Sequence, residues 1–199
     1  HDELIMQSLD TSVIENIKIV NAKYFHEKSG SNIELNYKIY GNGILKIKQT
    51  LYPSGAENPE LPRFGMKVSV NETFDNLEWF GRGPHESYWD RKTSAKIDRY
   101  KGKVIDQTYK YVRPQETGNK TDIRWLALYN GSIGLMVKGL PVFDGSVHHY
   151  DYALLDYYKG NQRHGKTDIT KGDQIDLIVD YKQMGVGGDN SWGAKPHSK

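Results

Sequence analysis

The sequence predicts an all-β fold, an antiparallel sandwich with at most one or two short helical turns. Three observations point there. Apolar and polar residues alternate along most of the chain, the period of a half-buried strand. The breaks between alternating stretches are short and carry turn-forming residues. No helical period persists long enough to build a βαβ unit. Strands of this kind, roughly ten to twelve with short connections, are the sandwich signature.

Taken in order, Ile33, Leu35, Tyr37 and Ile39 alternate with Glu34, Asn36 and Lys38. Gly41-Asn42-Gly43 supplies a hairpin turn, after which Leu45, Ile47 and Leu51 are set against Lys46 and Lys48. Residues 53–62, with a proline at each end, read as a loop. Phe64, Met66, Val68 and Val70 alternate next, followed by Leu77 and Trp79. Val104 and Ile105 through Tyr109 and Tyr111 are expected to form a strand, as are Ile123, Trp125, Ala127 and Tyr129. Asn130-Gly131 is a second hairpin turn, leading to Ile133, Leu135 and Val137. Ile175, Leu177, Val179 and Tyr181 close the series. Asp151 is placed to cap a short turn carrying Leu154, Leu155 and Tyr158, and residues 85–97 are read as including another turn. No repeat or long linker interrupts the chain, so residues 1–199 are expected to form one domain.

Composition narrows the class. With 27 basic and 25 acidic residues the net charge is +2, and the signs are mixed along the chain, which argues against nucleic acid as a partner. No apolar run approaches the ~18 residues that span a bilayer, so no membrane partner is expected. The absence of cysteine removes disulfides, thiolate metal sites and a cysteine nucleophile. The chain opens on His1 rather than Met and shows no export signal, so it reads as a piece of a longer polypeptide, bacterial cytoplasm and periplasm both remaining open.

The densest chemistry lies near the end. Strand 175–181 runs into Met184-Gly185-Val186-Gly187-Gly188, then the polar triplet Asp189-Asn190-Ser191, then Trp192. Glycines so close together let the backbone take positive φ and approach another surface. An exposed flat ring at Trp192 can stack on the apolar face of a pyranose while Asp189, Asn190 and Ser191 meet its hydroxyls or hold the loop; burial in the domain's own core is the competing reading. Within Gly81-Arg82-Gly83-Pro84-His85-Glu86-Ser87-Tyr88-Trp89-Asp90-Arg91, arginine and carboxylate suit a bidentate ion pair that orders a long loop, with a sugar or anion site as the alternative. In the segment from Tyr111 to Trp125, Gln115, Glu116 and Asn119 suit secondary sugar contacts, or equally a turn whose side chains satisfy buried backbone groups. His148 and His149 are adjacent and point to opposite faces of a strand, so they cannot share a metal; His149 with Asp151 gives two ligands without a third. These histidines and His164 read as ordinary surface or half-buried residues, and no metal site is expected. Nor does any Asp or Glu pair have a recognisable setting for glycoside hydrolysis, which needs two carboxylates about 5–5.5 Å apart in the retaining mechanism.

Four segments, in this order and spacing, resemble the C-terminal, small-chain domain of the large β-galactosidases of glycoside hydrolase family 2. They are Leu61-Pro62-Arg63-Phe64-Gly65-Met66, Trp79 to Arg91, Tyr111 to Asn119, and Met184 to Trp192. The resemblance implies an antiparallel β super-sandwich like that of galactose mutarotase, the fifth domain of a retaining enzyme that hydrolyses terminal β-D-galactosides. It implies that both catalytic glutamates sit on a separate (β/α)8 barrel, the partner domain in the same polypeptide, so no catalytic residue falls in this chain. Trp192 would line the galactoside site, and the intact enzyme would be a homo-oligomer. The chain itself would carry no cofactor; any Mg2+ or Na+ would belong to the barrel. The resemblance also implies a final strand or two beyond Lys199. Two rival readings are a free-standing carbohydrate-binding module and a mutarotase-like epimerase using His148 or His164 with Glu116 as acid and base.

Overall fold

A computed structural model describes residues 4–55, 60–109, 111, 115–150 and 171–187. The described residues are all-β apart from one 3-10 turn, as expected. The strands are β1 (Leu4–Ile14), β2 (Ile17–His26), β3 (Ser31–Ile39), β4 (Leu45–Tyr52), β5 (Arg63–Asn71), β6 (Asn76–Gly83), β7 (Lys96–Lys103), β8 (Lys120–Tyr129), β9 (Gly134–His148) and β10 (Gln174–Gln183). The chain divides into two compact units, His1–Glu60 and Leu61–Lys199.

The first unit is an antiparallel meander, β1-β2-β3-β4. Its first hairpin turns at Glu15 and Asn16, both at positive φ (49° and 65°), the backbone shape that matches the right-handed twist of flanking strands. The β3–β4 hairpin turns at the glycine pair anticipated from sequence. There Tyr40 N–H donates to Ile44 O at 2.9 Å, and the Asn42 side chain accepts from Ile44 N–H at 3.2 Å.

The second unit holds a six-stranded antiparallel sheet in the order β5-β10-β9-β8-β6-β7. Leu77, Trp79, Val104, Ile123, Leu126, Leu128, Phe143, Val147, Ile175 and Leu177 form its core. Three expectations change here. Residues 104–107 are the 3-10 turn rather than strand, since Val104 plugs into the core while Ile105 faces solvent. The inward set of β8 is Ile123, Leu126 and Leu128, not Ile123, Trp125, Ala127 and Tyr129. Pairing with β9 slips between Ile123 and Trp125, and a bulge moves all later side chains to the other face. Tyr181 is exposed although Ile175 and Leu177 are buried, because pairing of β10 with β5 slips between Asp180 and Lys182. Residues 85–97 contain turns and a bridge between Tyr88 and Arg91, with no helix.

Strand β10 is paired along both edges, with β5 on one side and β9 on the other. Its apolar face feeds the core, while Asp176 and Asp180 on the other face are also buried. Asp176 is satisfied by its neighbours on β5, accepting from Ser69 Oγ at 2.6 Å and Lys67 Nζ at 3.1 Å. A strand held on both faces gives a fixed origin to the loop that leaves its end.

Candidate functional site

Beyond Gln183 the chain leaves β10 through Met184–Gly187, with Gly185 at φ +87° and Gly187 at φ +61°. Side chains at these two positions would be strained in that conformation. The turn is held from three directions. Met184 N–H donates to Pro62 O at 2.8 Å, and Met184 O accepts from Trp89 Nε1 at 2.7 Å. The Asp90 carboxylate accepts from Val186 N–H on Oδ1 at 3.3 Å and from Gly187 N–H on Oδ2 at 2.9 Å. A Cβ on Gly185 would lie 2.5 Å from the Asp90 carboxyl carbon, so this turn admits Asp90 only because residue 185 has no side chain.

Trp89 and Asp90 are fixed in turn by the segment that carries them. Ser87 N–H donates to Asn119 O at 2.8 Å, and Asn119 Nδ2 returns a hydrogen bond to Ser87 O at 2.8 Å. The Ser87 hydroxyl meets Thr121 Oγ1 at 3.0 Å and accepts from Thr121 N–H at 3.1 Å. Tyr88 and Arg91 exchange backbone hydrogen bonds of 3.1 and 2.9 Å, closing the tight turn whose tip is Trp89-Asp90.

Glu86 is the hub of a second set of contacts. Its carboxylate accepts from Arg91 Nη2 at 2.8 Å, Gly118 N–H at 2.9 Å, Thr117 Oγ1 at 3.3 Å and the Tyr111 hydroxyl. The ion pair between Arg91 and Glu86 ties the loop together as the sequence suggested, but through the single nitrogen Nη2 where a bidentate pair was expected, because Glu86 also accepts from Gly118, Thr117 and Tyr111. Arg63, beside the Pro62 carbonyl, donates to Glu116 at 2.8 Å and stands 3.6 Å from Asp180 on β10. Thus the four segments singled out from sequence are joined to one another by named hydrogen bonds. The root of the glycine loop meets two of them directly, at Pro62 and at Trp89-Asp90, and the segment 111–119 braces both of these through Arg63 and Ser87.

Burial sets the electrostatics. It raises the Asp180 carboxyl to about 6, with Arg63 pulling the other way. Asp144, opposite Asp180 in the β9–β10 register, is likewise pushed up to about 6 by burial, partly offset by the N–H of Asp122. Lys120 is 3% exposed; burial lowers its ammonium to about 8 against the attraction of Glu86. Its Nζ donates to Gly118 O at 3.0 Å and sits 5.3 Å from the Trp79 ring. Burial, with Lys120 and Arg63 adding repulsion, pushes His148 down to about 3, so its imidazole is neutral at pH 7. His149 Nε2 pairs with Asp75 Oδ1 at 2.8 Å. Neither histidine is on the surface or half-buried, contrary to expectation, because β9 runs through the covered part of the sheet. Among the described residues no three His, Asp or Glu could hold a metal ion.

Of the expected site residues, Glu116 faces Arg63, and Asn119 is 1% exposed with its amide bonded to Ser87, while Gln115 is exposed. Asp189, Asn190, Ser191, Trp192, Asp151 and His164 lie outside the described residues. Sequence reasoning gave no role to Asp90, Trp89, Arg63 or Lys120. Asp90 and Gly187 stand 97 residues apart, and no local pattern pairs a carboxylate with so distant a turn.

Comparison with known proteins agrees with this arrangement. The family model for the β-galactosidase small chain matches residues 3–199. A β-galactosidase of Priestia megaterium is 42% identical over 180 residues, 90% of this chain and 17% of that protein. One from Vibrio cholerae is 31% identical over 98% of this chain and 18% of its own length. One from Halalkalibacterium halodurans is 29% identical over 92% of this chain and again 18% of its own length. The chain therefore spans under a fifth of these relatives, at their C-terminal end. A match along nearly the whole chain settles the family: the chain belongs to the β-galactosidase small-chain family.

Proposed function

We propose that this chain is the C-terminal domain of a retaining β-galactosidase of glycoside hydrolase family 2, hydrolysing terminal β-D-galactosides. Its task is to complete the substrate site of a (β/α)8 catalytic domain with Trp192 and to support the multidomain assembly. The observation that carries the reading is the near-complete match to proteins named β-galactosidase, each several times longer than this chain. The architecture supports it: the root of the glycine loop is tied to two other segments, at Pro62 and at Trp89-Asp90, an arrangement suited to presenting a ring to another surface.

In this reading the chain supplies binding and orientation, not acid–base chemistry. The ring of Trp192 stacks on the sugar, Asp189, Asn190 and Ser191 shape or contact its polar edge, and the catalytic pair and any Mg2+ or Na+ belong to the barrel. Gln115, Glu116 and Asn119 are secondary to this role.

The test is to assay the chain alone and the intact protein with a chromogenic β-galactoside. The intact protein hydrolyses it and the chain alone does not; turnover by the chain alone overturns the proposal. Calorimetry of the chain with galactose and lactose adds a second arm, with tight binding favouring a free-standing carbohydrate-binding module. Acceleration of galactose mutarotation in polarimetry would favour the epimerase. The buried, neutral His148 makes a poor proton shuttle for that reaction.

A further inference from the structure

We propose that the first unit carries a saccharide-binding site of its own, an open cleft on the polar face of its meander lined by Gln7, Lys23, Asn32, Glu34 and Tyr52. The inference does not depend on the role given to Trp192. The cleft has a volume of about 470 Å³, within the ~300–1,000 Å³ of small-molecule sites. All four strands build it: Gln7 comes from β1, Lys23 from β2, Asn32 and Glu34 from β3, and Tyr52 from β4.

Two departures from ordinary strand composition and pairing meet here. Asparagine is depleted in strands, yet Asn21 lies in β2 and both Asn32 and Asn36 lie in β3. Asn36 is paired with Asn21 in the register, and its Nδ2 donates to Asn21 Oδ1 at 2.5 Å. Asn32 is exposed, lines the cleft and stands opposite Tyr52 in the β3–β4 register. In β1 the pairing with β2 steps from Met6–Tyr24 to Ser8–Lys23, which leaves Gln7 as an inserted residue. A bulge of this kind re-aims a side chain, and that of Gln7 lines the cleft.

The chemistry selects a neutral sugar. Lys23 Nζ lies 2.9 Å from Glu34 Oε1, so the one ammonium and the one carboxylate of the cleft offset each other. Hydrogen bonds from Lys23 and then Tyr52 hold the Glu34 carboxyl below its ordinary value, so the pair stays charged at neutral pH. An anionic ligand would meet Glu34 and a cationic one Lys23. Tyr52 is 48% exposed, and its hydroxyl donates to Glu34 Oε2 at 3.0 Å, which holds a half-exposed ring in place. That ring offers an apolar surface to the C–H face of a pyranose. The amides of Gln7 and Asn32 each supply donors and an acceptor, which suits hydroxyls that both give and take hydrogen bonds.

The experiment titrates the full chain, labelled with nitrogen-15, with lactose and with cellobiose, and follows it by NMR. Glycerol serves as a polyol without a pyranose face. Either disaccharide should give saturable shifts at the side-chain amides of Gln7 and Asn32, with Kd on the order of 1–10 mM, and glycerol should give none. Gln7→Ala and Asn32→Ala replace exposed side chains and should leave Tm unchanged. Each should weaken binding about two- to tenfold. Tyr52→Ala should abolish saturation, while Tyr52→Phe, which keeps the ring, should retain it. The inference falls if no saturable shift is seen, if glycerol acts as the disaccharides do, or if the shifts are confined to the second unit. It falls equally if Gln7→Ala, Asn32→Ala and a folded Tyr52→Ala all bind as wild type does. Should Tyr52→Ala fail to fold, the two amide variants decide.

Discussion

The carboxylate of Asp90 lies 2.9 Å from the backbone nitrogen of Gly187, joining the tip of a tight turn after β6 to the turn that leaves β10. Around this contact the other segments are arranged as a chain of supports. Arg63 links β5 to β10 through Asp180, Glu116 anchors Arg63, and Asn119 holds Ser87 just ahead of Trp89-Asp90. The conformation of the glycine loop therefore depends on residues contributed from most of the second unit.

Replacement of Gly185 by alanine should be costly for two separate reasons. The added Cβ meets Asp90 at 2.5 Å, and φ is +87°. Strain of this type costs about 1–3 kcal/mol, and in a chain of this size each kcal/mol lowers Tm by about 2–4 °C. Thermal unfolding of the variant checks this, and an unchanged Tm would contradict the close approach.

Asn119 offers a sharper ordering. Its amide donates to the Ser87 carbonyl at 2.8 Å inside the unit. Alanine leaves that carbonyl unpartnered, a loss of about 1–3 kcal/mol. Aspartate should be worse, because an acceptor then faces an acceptor. Denaturant midpoints should rank wild type above Asn119→Ala and Asn119→Ala above Asn119→Asp. Equal midpoints would instead indicate an exposed side chain free to serve as a sugar contact.

The strands that could be read from sequence are those whose apolar residues alternate with polar ones, including β10, whose polar face is buried as well. Leu77 and Trp79 of β6 are inward, as the alternation required, and the turns at Asn42-Gly43 and Asn130-Gly131 stand where their side chains dictate. Strands β1, β2 and β7 carry no such signal. The β1–β2 turn uses Glu15-Asn16 with no glycine, and β7 (KIDRYKGK) carries charge along both faces. The phase change in β8 was equally hidden, since a bulge alters which residues face inward without altering composition. For the site, its segments were visible as dense polar motifs, but not their mutual contacts. Lys120 illustrates why: it reads as a surface lysine, and only folding places its ammonium 5.3 Å from the Trp79 ring and on Gly118 O.

Asp144 should reveal itself through pH. Its folded carboxyl titrates at about 6 against 3.8 for the ordinary group, raised by burial. A carboxyl raised in the folded state favours folding while protonated, and that advantage is lost as pH climbs through the interval from 3.8 to about 6. Asp144→Asn keeps the oxygen that accepts Asp122 N–H and removes the titration. The stability of the variant relative to wild type should therefore be smallest near pH 4 and grow toward pH 7, by up to about 3 kcal/mol. Denaturant melts of both chains from pH 4 to pH 7 test this, and a difference independent of pH would contradict it.

The most direct measurement is the kinetics of Trp192→Ala in the intact enzyme, with hydrolysis and transfer to added sugar acceptors followed together. If the second unit exists to present that ring to the galactoside, KM should rise on the order of tenfold and transfer should fall relative to hydrolysis. The barrel glutamates would still support turnover at saturating substrate. Unchanged KM and unchanged acceptor selectivity, in an enzyme that is folded and active, would contradict the role given to the loop that Asp90 holds.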